Sequence, residues 1–352
     1  MGSGGLAVLA ENRCAPGLHR GAELTLARVT VKVRFAPSPT GSLHLGNALS
    51  AVANRRLGDW LLLRIDDTDP ARNLPGGEEA IVRDLEWLGI AWDEGPVRQG
   101  ERAERHREAG APLGDRFDGL TLLREDGSPT YHLASVVDDI DFGITHVVRG
   151  NDHRPNEALH RRLFEALGAT PPEFVHHGLI LGPDGRKLAK RAPGGSVASL
   201  REDGIPAEAV RTYLEELGLP GHDVHLDLAR LRRLSTEALA ALSDEELAAR
   251  VGVPVSVTPV LRGARDLAEA RAYAQLVLEP AHADVDSPET LARFRELVEA
   301  GLEPRAIVRE LKAVGGDLKA VRLALTGRER GPELAAVIAA LPRDELLSRL
   351  ER

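Results

Sequence analysis

Residues 34–47, RFAPSPTGSLHLGN, lead out of a strand and into a helix through a stiff turn. The run before them, VTVKVRF (29–35), alternates apolar and polar residues, as a half-buried strand does. Pro37 and Pro39 restrict the backbone, and Gly41 lets it turn or approach a ligand closely. HLGNALSAVANRRLG (44–58) then spaces its apolar residues as a helix. WLLLRID (60–66) is a short apolar run of the kind that forms a strand buried on both faces, and GGEEAIVRDLEWLGI (76–90) is helical again. Strand, loop, helix, strand, helix is the order of a parallel α/β sheet.

Beyond Trp92 the pattern weakens until LTLLREDGSPTYHLASVV (120–137), where EDGS between two strand-like runs predicts a hairpin. THVVRG (145–150) reads as a strand, PNEALHRRLFEALG (155–168) as an amphipathic helix, and FVHHGLIL (174–181) as a further strand. The last of these runs into the loop GPDGRKLAKRAPGG (182–195). From Ser196 onward the pattern is almost wholly helical. Starts are predicted at Ser235 or Thr236, at Ser243, and at Ser287-Pro288.

The 352 residues suffice for two or three domains, and apolar (43%) and charged (28%) contents are those of a globular protein. No apolar run approaches the roughly 20 residues of a membrane span, so no membrane partner is expected. Cys14 is the sole cysteine, which excludes a disulfide framework or a cysteine zinc cluster and fits a cytoplasmic protein. Residues 1–28, rich in Gly and Ala and without a signal-peptide core, are expected to be a disordered tail. A net charge of −9 argues against binding nucleic acid through the overall field, though not against a local basic face. Lysine occurs only at positions 32, 187, 190, 312 and 319, so the pair Lys187 and Lys190 in one Gly-rich loop calls for a specific reason.

Four constellations carry chemical potential. His44 and Asn47 fall at a helix start, where free N–H groups and partial positive charge suit phosphate oxygens. RIDDTDP (64–70) puts three carboxylates just after a buried strand, able to hold an amino group or a metal-bound nucleotide. Tyr131, Arg149, Asp152 and His153 are placed at the edges of neighbouring strands. There Arg149 could clamp a carboxylate with its planar fork, while Asp152-His153 makes a poor metal site. Lys187 and Lys190 are mobile ammonium groups suited to charge developing on a transferring phosphate. Singly, each has a plain structural reading: a capped helix, a solvated acidic turn, strand-end hydrogen bonds, an exposed basic loop.

Their order gives them a joint meaning. RFAPSPTGSLHLGN resembles the first signature of the glutamyl-tRNA synthetases, the HIGH-type motif, here reduced to His44-Leu45-Gly46-Asn47. KLAKR resembles the second, KMSKS-type signature, with Ala189 in place of the usual serine. RIDDTDP, GSPTYHLASVVDD and GITHVVRGNDH are similar to the blocks between, in the same order, and ALTGRERGPELAAVIAALPRDELLSRL resembles the end of bacterial members. The resemblance covers roughly residues 31–352. It implies an α/β fold with a class I Rossmann-like nucleotide-binding domain, followed by all-α C-terminal modules. It also implies ATP-dependent activation of glutamate to glutamyl-adenylate and transfer to tRNA, the glutamate-specific one, by a monomer using ATP with Mg2+. On that pattern Arg34, Ala36, Ser38, Asp66, Tyr131 and Arg149 bind glutamate, Arg149 taking its side-chain carboxylate and Asp66 its amino group. His44, Gly46, Asn47, Lys187 and Lys190 bind ATP, with His44 and the two lysines catalytic. No resident metal ligands are expected.

The chain also departs from the pattern. The family's acceptor-gripping insert is reduced to residues 93–119, in which EAGAPLGDRFDG is too short to fold as a domain. Asp66 is one methylene shorter than the usual glutamate, His132 replaces an asparagine, and Asn151 replaces an acidic residue. The expected division is a tail (1–28), a catalytic domain (29–195), a stem-contact-like helical domain (196–265) and an anticodon-binding-like one (266–352). Two alternatives stay open. One is a paralogue that activates glutamate for another acceptor, glutamyl-Q tRNA-Asp synthesis included; the other is an adenylate-binding regulatory module without turnover. A dinucleotide dehydrogenase is disfavoured, because no G-x-G-x-x-G follows the first strand.

Overall fold

The structure, a computed structural model, describes residues 30–351; the tail expectation for residues 1–28, with Cys14, falls outside them. Residues 31–351 form one compact unit. Its sheet begins with β1 (Lys32–Phe35), β2 (Trp60–Ile65) and β3 (Glu94–Arg98), all parallel. α1 (Leu45–Leu57) and α2 (Gly77–Trp87) make the crossovers. β2 is buried from Leu61 to Ile65, as its apolar residues require, with Arg64 the one charged side chain among them. On the far side of β1, the Thr145 N–H donates to the Lys32 carbonyl at 2.9 Å just before β6 (His146–Gly150), and β6 pairs in parallel with β7 (Glu173–His177). The ladders β3-β2-β1 and β6-β7 thus lie side by side with β6 next to β1, and the chain order reverses between them. That is the place where open α/β sheets bind ligands, beyond the carboxyl ends of their strands.

Four sequence expectations change here. FVHHGLIL (174–181) is not one strand: Glu173–His177 pairs with β6, whereas Ile180–Leu181 pairs with Val224–His225, the two parted at Gly178. The patternless stretch after Trp92 opens with β3, so residues 94–98 belong to the sheet rather than to the shortened insert; a strand carrying Gly95 and Pro96 at the sheet margin gives little periodic signal. α3 (Ala103–Gly110) follows, then a tiny hairpin of β4 (Arg116–Phe117) and β5 (Leu120–Thr121). The hairpin predicted over 120–137 is only half present. EDGS does reverse the chain, with Leu123 bridging to Pro129, but Tyr131–Asp141 is a helix, α4, with Leu133, Ala134, Val136 and Val137 buried. Ser235 does not start a helix either. It lies inside α8 (Leu228–Ala241), whose cap is Asp227, and its hydroxyl donates to the Arg265 carbonyl.

The other starts agree: Ser243 forms a capping box with Glu246 ahead of Asp244–Val251, and Pro288–Glu299 begins just after Ser287. α5 (Glu157–Ala166) follows β6, while β8 (Ile180–Leu181) pairs in parallel with β9 (Val224–His225), between α6 (Val197–Glu202), α7 (Ala207–Leu217) and α8. Two large apolar clusters divide the unit. One runs from Val33 to Leu234 and the other from Leu239 to Leu346, so the two clusters part within α8.

Candidate active site

The cavity at the strand-order reversal has a volume of about 610 Å³, within the ordinary range for small-molecule sites. Arg34, Ala36 and Ser38 reach it from the end of β1, Asp66 from the end of β2, and Arg149 from β6. His44, Gly46 and Asn47 come from the start of α1, Tyr131 from the first turn of α4, and Lys187 from the loop after β8. Lys190 is the one sequence-predicted site residue outside the lining; its ammonium donates to the Thr40 carbonyl at 2.8 Å and the Thr40 hydroxyl at 3.1 Å. Tyr131 arrives from a helix, not a strand edge, and Asp152 and His153 lie in the short 3-10 turn Asn151–Asn156 after β6.

Local packing fixes the first loop. Gly41 has φ +87°, which favours glycine, and a Cβ on Gly77 would lie 2.2 Å from the Pro39 carbonyl oxygen, so α2 can begin directly on the loop. The fully buried carboxylate of Asp84 accepts from the Ser42 hydroxyl at 2.6 Å and the Leu43 N–H at 2.8 Å. The lysine loop ends on the same turn: Leu45 N–H donates to the Gly195 carbonyl, and Val197 N–H to that of Leu43. The two signature segments, about 140 residues apart in the chain, are thus laced together.

His44 caps α1, its Nδ1 accepting the Asn47 N–H at 3.1 Å. Burial, then the charges of Lys187 and Lys190, lower its pKa to about 4, so the ring is neutral at physiological pH. With Nδ1 an acceptor, the proton sits on Nε2, leaving one directed donor. Lys187 pairs with Asp152 at 2.6 Å, a partner not foreseen from sequence, and burial lowers Lys190.

A buried charge network lies beneath the cavity. Arg64, fully buried in an otherwise apolar strand, contacts Asp66 at 2.7 Å and Asp139 at 2.8 Å, with Asp138 at 3.8 Å. These carboxylates hold it firmly charged although burial opposes this. Burial pushes the Asp66 carboxyl upward while Arg64 pulls it down. Asp139 also accepts from Arg34 at 3.2 Å. Asp138 accepts from Gln99, Arg102 and His106; burial would raise its pKa, but the His106 hydrogen bond and Arg64 hold it down to about 2. The sequence reading missed this hub. Its only traces were an arginine inside WLLLRID and two adjacent aspartates inside an apolar helical run.

Arg149 is the exception in this charge-matched setting. It is 6% exposed, its Nη1 and Nη2 reach no acceptor within hydrogen-bond distance, and burial lowers its pKa against the opposing pull of the nearby Tyr131 hydroxyl. Two free parallel N–H donors at a cavity wall suit a carboxylate. The other arginines considered for phosphate contact are mostly engaged: Arg161 with Glu157, Arg162 with Asp118, Arg230 with Glu216, Arg262 with Asp244 and Arg265 with Glu269, while Arg154 donates to Asn151. Arg232 and Arg233 are exposed on α8.

A sheet that reverses over a polar cavity, with a histidine-capped helix on one side and a lysine loop on the other, defines a Rossmann-like nucleotide-binding protein. Residues 30–113 and 114–243 match the family described as tRNA synthetases class I (E and Q), catalytic domain, and the chain belongs to that family. It is 35% identical over 422 aligned positions to glutamate–tRNA ligase 1 of Rubrobacter xylanophilus, covering 92% of this chain and 97% of the relative. To glutamate–tRNA ligase of Akkermansia muciniphila it is 32% identical, covering 91% and 98%. A glutamate tRNA ligase from Elizabethkingia meningosepticum, solved in complex with its amino acid, has the same fold, with a TM-score of 0.69 over 92% of this chain and 98% of that one at 24% identity. The 422 positions exceed the 352 residues of the chain, and the family match breaks at 113/114, inside the segment read as a shortened insert. Among the described residues, no helix is long and apolar enough to cross a membrane.

Proposed function

We propose that the protein is a glutamate–tRNA ligase: it activates glutamate with ATP and passes the acyl group to tRNA. The observation that carries this reading is Arg149, a buried guanidinium with two unpartnered nitrogens at the cavity wall, together with membership of a family that serves glutamate and glutamine. A glutamate side chain supplies the missing counter-charge. Arg34 and Tyr131 flank it, Ala36 and Ser38 line the loop beside it, and Asp66 faces the amino group with lone pairs that Arg64 leaves free.

In the first step a carboxylate oxygen of glutamate attacks the ATP α-phosphorus, and the bond to the bridging oxygen breaks, releasing pyrophosphate. In the second, a ribose hydroxyl of the tRNA terminus attacks the acyl carbon, loses its proton, and AMP departs. The chain's work is positioning and electrostatics. Neutral His44 donates from Nε2 to a phosphate oxygen at the α1 N-terminus, beside Gly46 and Asn47. Lys187 and Lys190 meet the charge that builds on the departing pyrophosphate, which requires Lys190 to leave Thr40. Among the described residues no group of three or more His, Cys, Asp or Glu is placed to hold a metal ion. Mg2+ would enter with the nucleotide phosphates, whose oxygens it prefers.

The test compares glutamate-dependent ATP–pyrophosphate exchange, measured with and without tRNA, with glutamyl-tRNA formation on one preparation across a salt series. Charging that weakens with salt is expected, from phosphate contacts made despite the net charge of −9. Exchange without charging of any tRNA would favour an acceptor other than tRNA, consistent with the shortened 93–119 segment. No exchange at all would leave only a binding role.

A further inference from the structure

Of the three guanidinium nitrogens of Arg149, Nε donates to His176 Nε2 at 3.2 Å, while Nη1 and Nη2 reach no acceptor within hydrogen-bond distance, the Tyr131 hydroxyl standing nearby. The two residues are direct partners in the register of β6 and β7, so the contact is built into the sheet. The His176 side chain is 2% exposed, and its Nδ1 lies 3.4 Å from Glu157 Oε2 on α5. Glu157 is itself held, through Oε1, by Arg161 Nε at 2.8 Å. The rings add a plate beneath: Phe174 stacks on His176 at 6.5 Å, and the guanidinium carbons of Arg149 and Arg161 both lie 4.9 Å from the Phe174 ring centre.

These contacts form one chain with a defined direction. The carboxylate of Glu157 selects the tautomer with its proton on Nδ1, which leaves Nε2 as the acceptor that Arg149 needs. The imidazole has to be neutral to accept, and burial followed by the Arg149 charge lowers its pKa to about 4, which keeps it so. Nε is the atom about which the guanidinium plane would swing. Fixing it fixes where both Nη donors point.

We propose that His176 is a positioning residue that sets the orientation of the Arg149 fork and thereby the preference of the site for a carboxylate over a carboxamide; this rests on the glutamate reading above. A held fork offers two parallel donors. A carboxylate answers with two acceptors, but a carboxamide answers with one acceptor and an NH2 group that faces a donor. A released fork turns to give one donor to the amide oxygen, and the penalty against glutamine shrinks.

The experiment measures ATP–pyrophosphate exchange with glutamate and with glutamine on the full chain and on His176→Leu, His176→Gln and Glu157→Ala. For His176→Leu the KM for glutamate should rise and the glutamate-to-glutamine ratio of kcat/KM should fall by about ten- to a hundredfold, the worth of a hydrogen bond to a charged group. The kcat and the KM for ATP should stay within about threefold, since the ATP side is untouched. His176→Gln, whose amide oxygen can replace Nε2, should recover most of the discrimination, a rescue that loss of packing alone would not give. Glu157→Ala, at a partly exposed position, should shift the ratio in the same direction and less, and it keeps the test open if the leucine variant does not fold. An unchanged ratio in both His176→Leu and Glu157→Ala would overturn this inference alone. Absence of glutamate exchange in the unaltered protein would overturn the glutamate reading and this inference with it.

Discussion

Replacing Arg149 with methionine should make the free protein more stable and the enzyme nearly inactive. The guanidinium is 6% exposed, and both Nη atoms lack partners. Unmet buried donors cost about 1–3 kcal/mol each, and methionine of similar reach removes both. Against this stand the loss of the Nε bond to His176, about 1 kcal/mol or somewhat more, and of the ring contact with Phe174, about 0.5–2 kcal/mol. The balance favours the variant by roughly 1–3 kcal/mol, read as a higher urea midpoint at unchanged slope. Activation should move the other way. A substrate carboxylate buried without its partner costs about 3–5 kcal/mol, so kcat/KM for glutamate should fall by roughly two to three orders of magnitude. Glutamine, which never had the ion pair, should lose far less. A methionine variant that is clearly less stable than the parent, or that still activates glutamate well, would refute the picture of a counter-charge held in readiness.

Lys190→Ala should lower kcat for activation by about ten- to a thousandfold with a smaller change in ATP affinity, because its task is in the transition state; normal activation would reduce the loop to a basic surface turn. Asp139→Ala leaves buried Arg64 and Arg34 short of a partner and should destabilise by about 3–5 kcal/mol in urea unfolding. Stability should also fall as pH drops from about 6.5 toward 4. In that window the unfolded chain protonates its histidines, while native His44 and His176 wait until about 4, and His160, buried on α5 near the Arg149 charge and 3.0 Å from His132, until about 3. The unfolded state thus binds more protons, at up to roughly 1.4 kcal/mol per pH unit for each histidine. His160→Gln should flatten the slope of urea midpoints between pH 7 and 5, and an unchanged slope would remove His160 from the account.

Much of the site was legible because it is written in local geometry. Pro37, Pro39 and Gly41 announce a rigid turn, and a histidine at a helix start announces a cap, which His44 is. The apolar runs marked the strand ends, and Arg34, Asp66 and Arg149 line the cavity at those ends, Arg34 having been named only through the family resemblance. Tyr131 was assigned to a strand because PTYHLASVV is aromatic and β-branched. Its apolar residues at 133, 134, 136 and 137 fit a helix as well, and burial within α4 decided for the helix. Ser235 has the look of an N-cap, yet its partner is a carbonyl 30 residues away. The same limit hid Arg64, Asp138, His176 and the Lys187–Asp152 pair. Apart from the Arg64–Asp66 contact inside RIDDTDP, each gains its meaning from a partner more than 25 residues away that only the fold brings near.

The break in the sheet's connectivity between β3 and β6 carries a practical consequence. α3 is pinned through Arg102 and His106 to Asp138, and the chain then leaves by the Asp118-Gly119 turn, both at positive φ, before returning to α4. Whatever stands at that exit is anchored at both ends by structure that does not depend on it. Closing a longer loop there costs only about 0.6 kcal/mol per doubling of its length. The position therefore behaves as a socket: a folded module from a longer relative, spliced in at 118–119, should leave the chemistry beneath it undisturbed while changing which acceptor is brought to it.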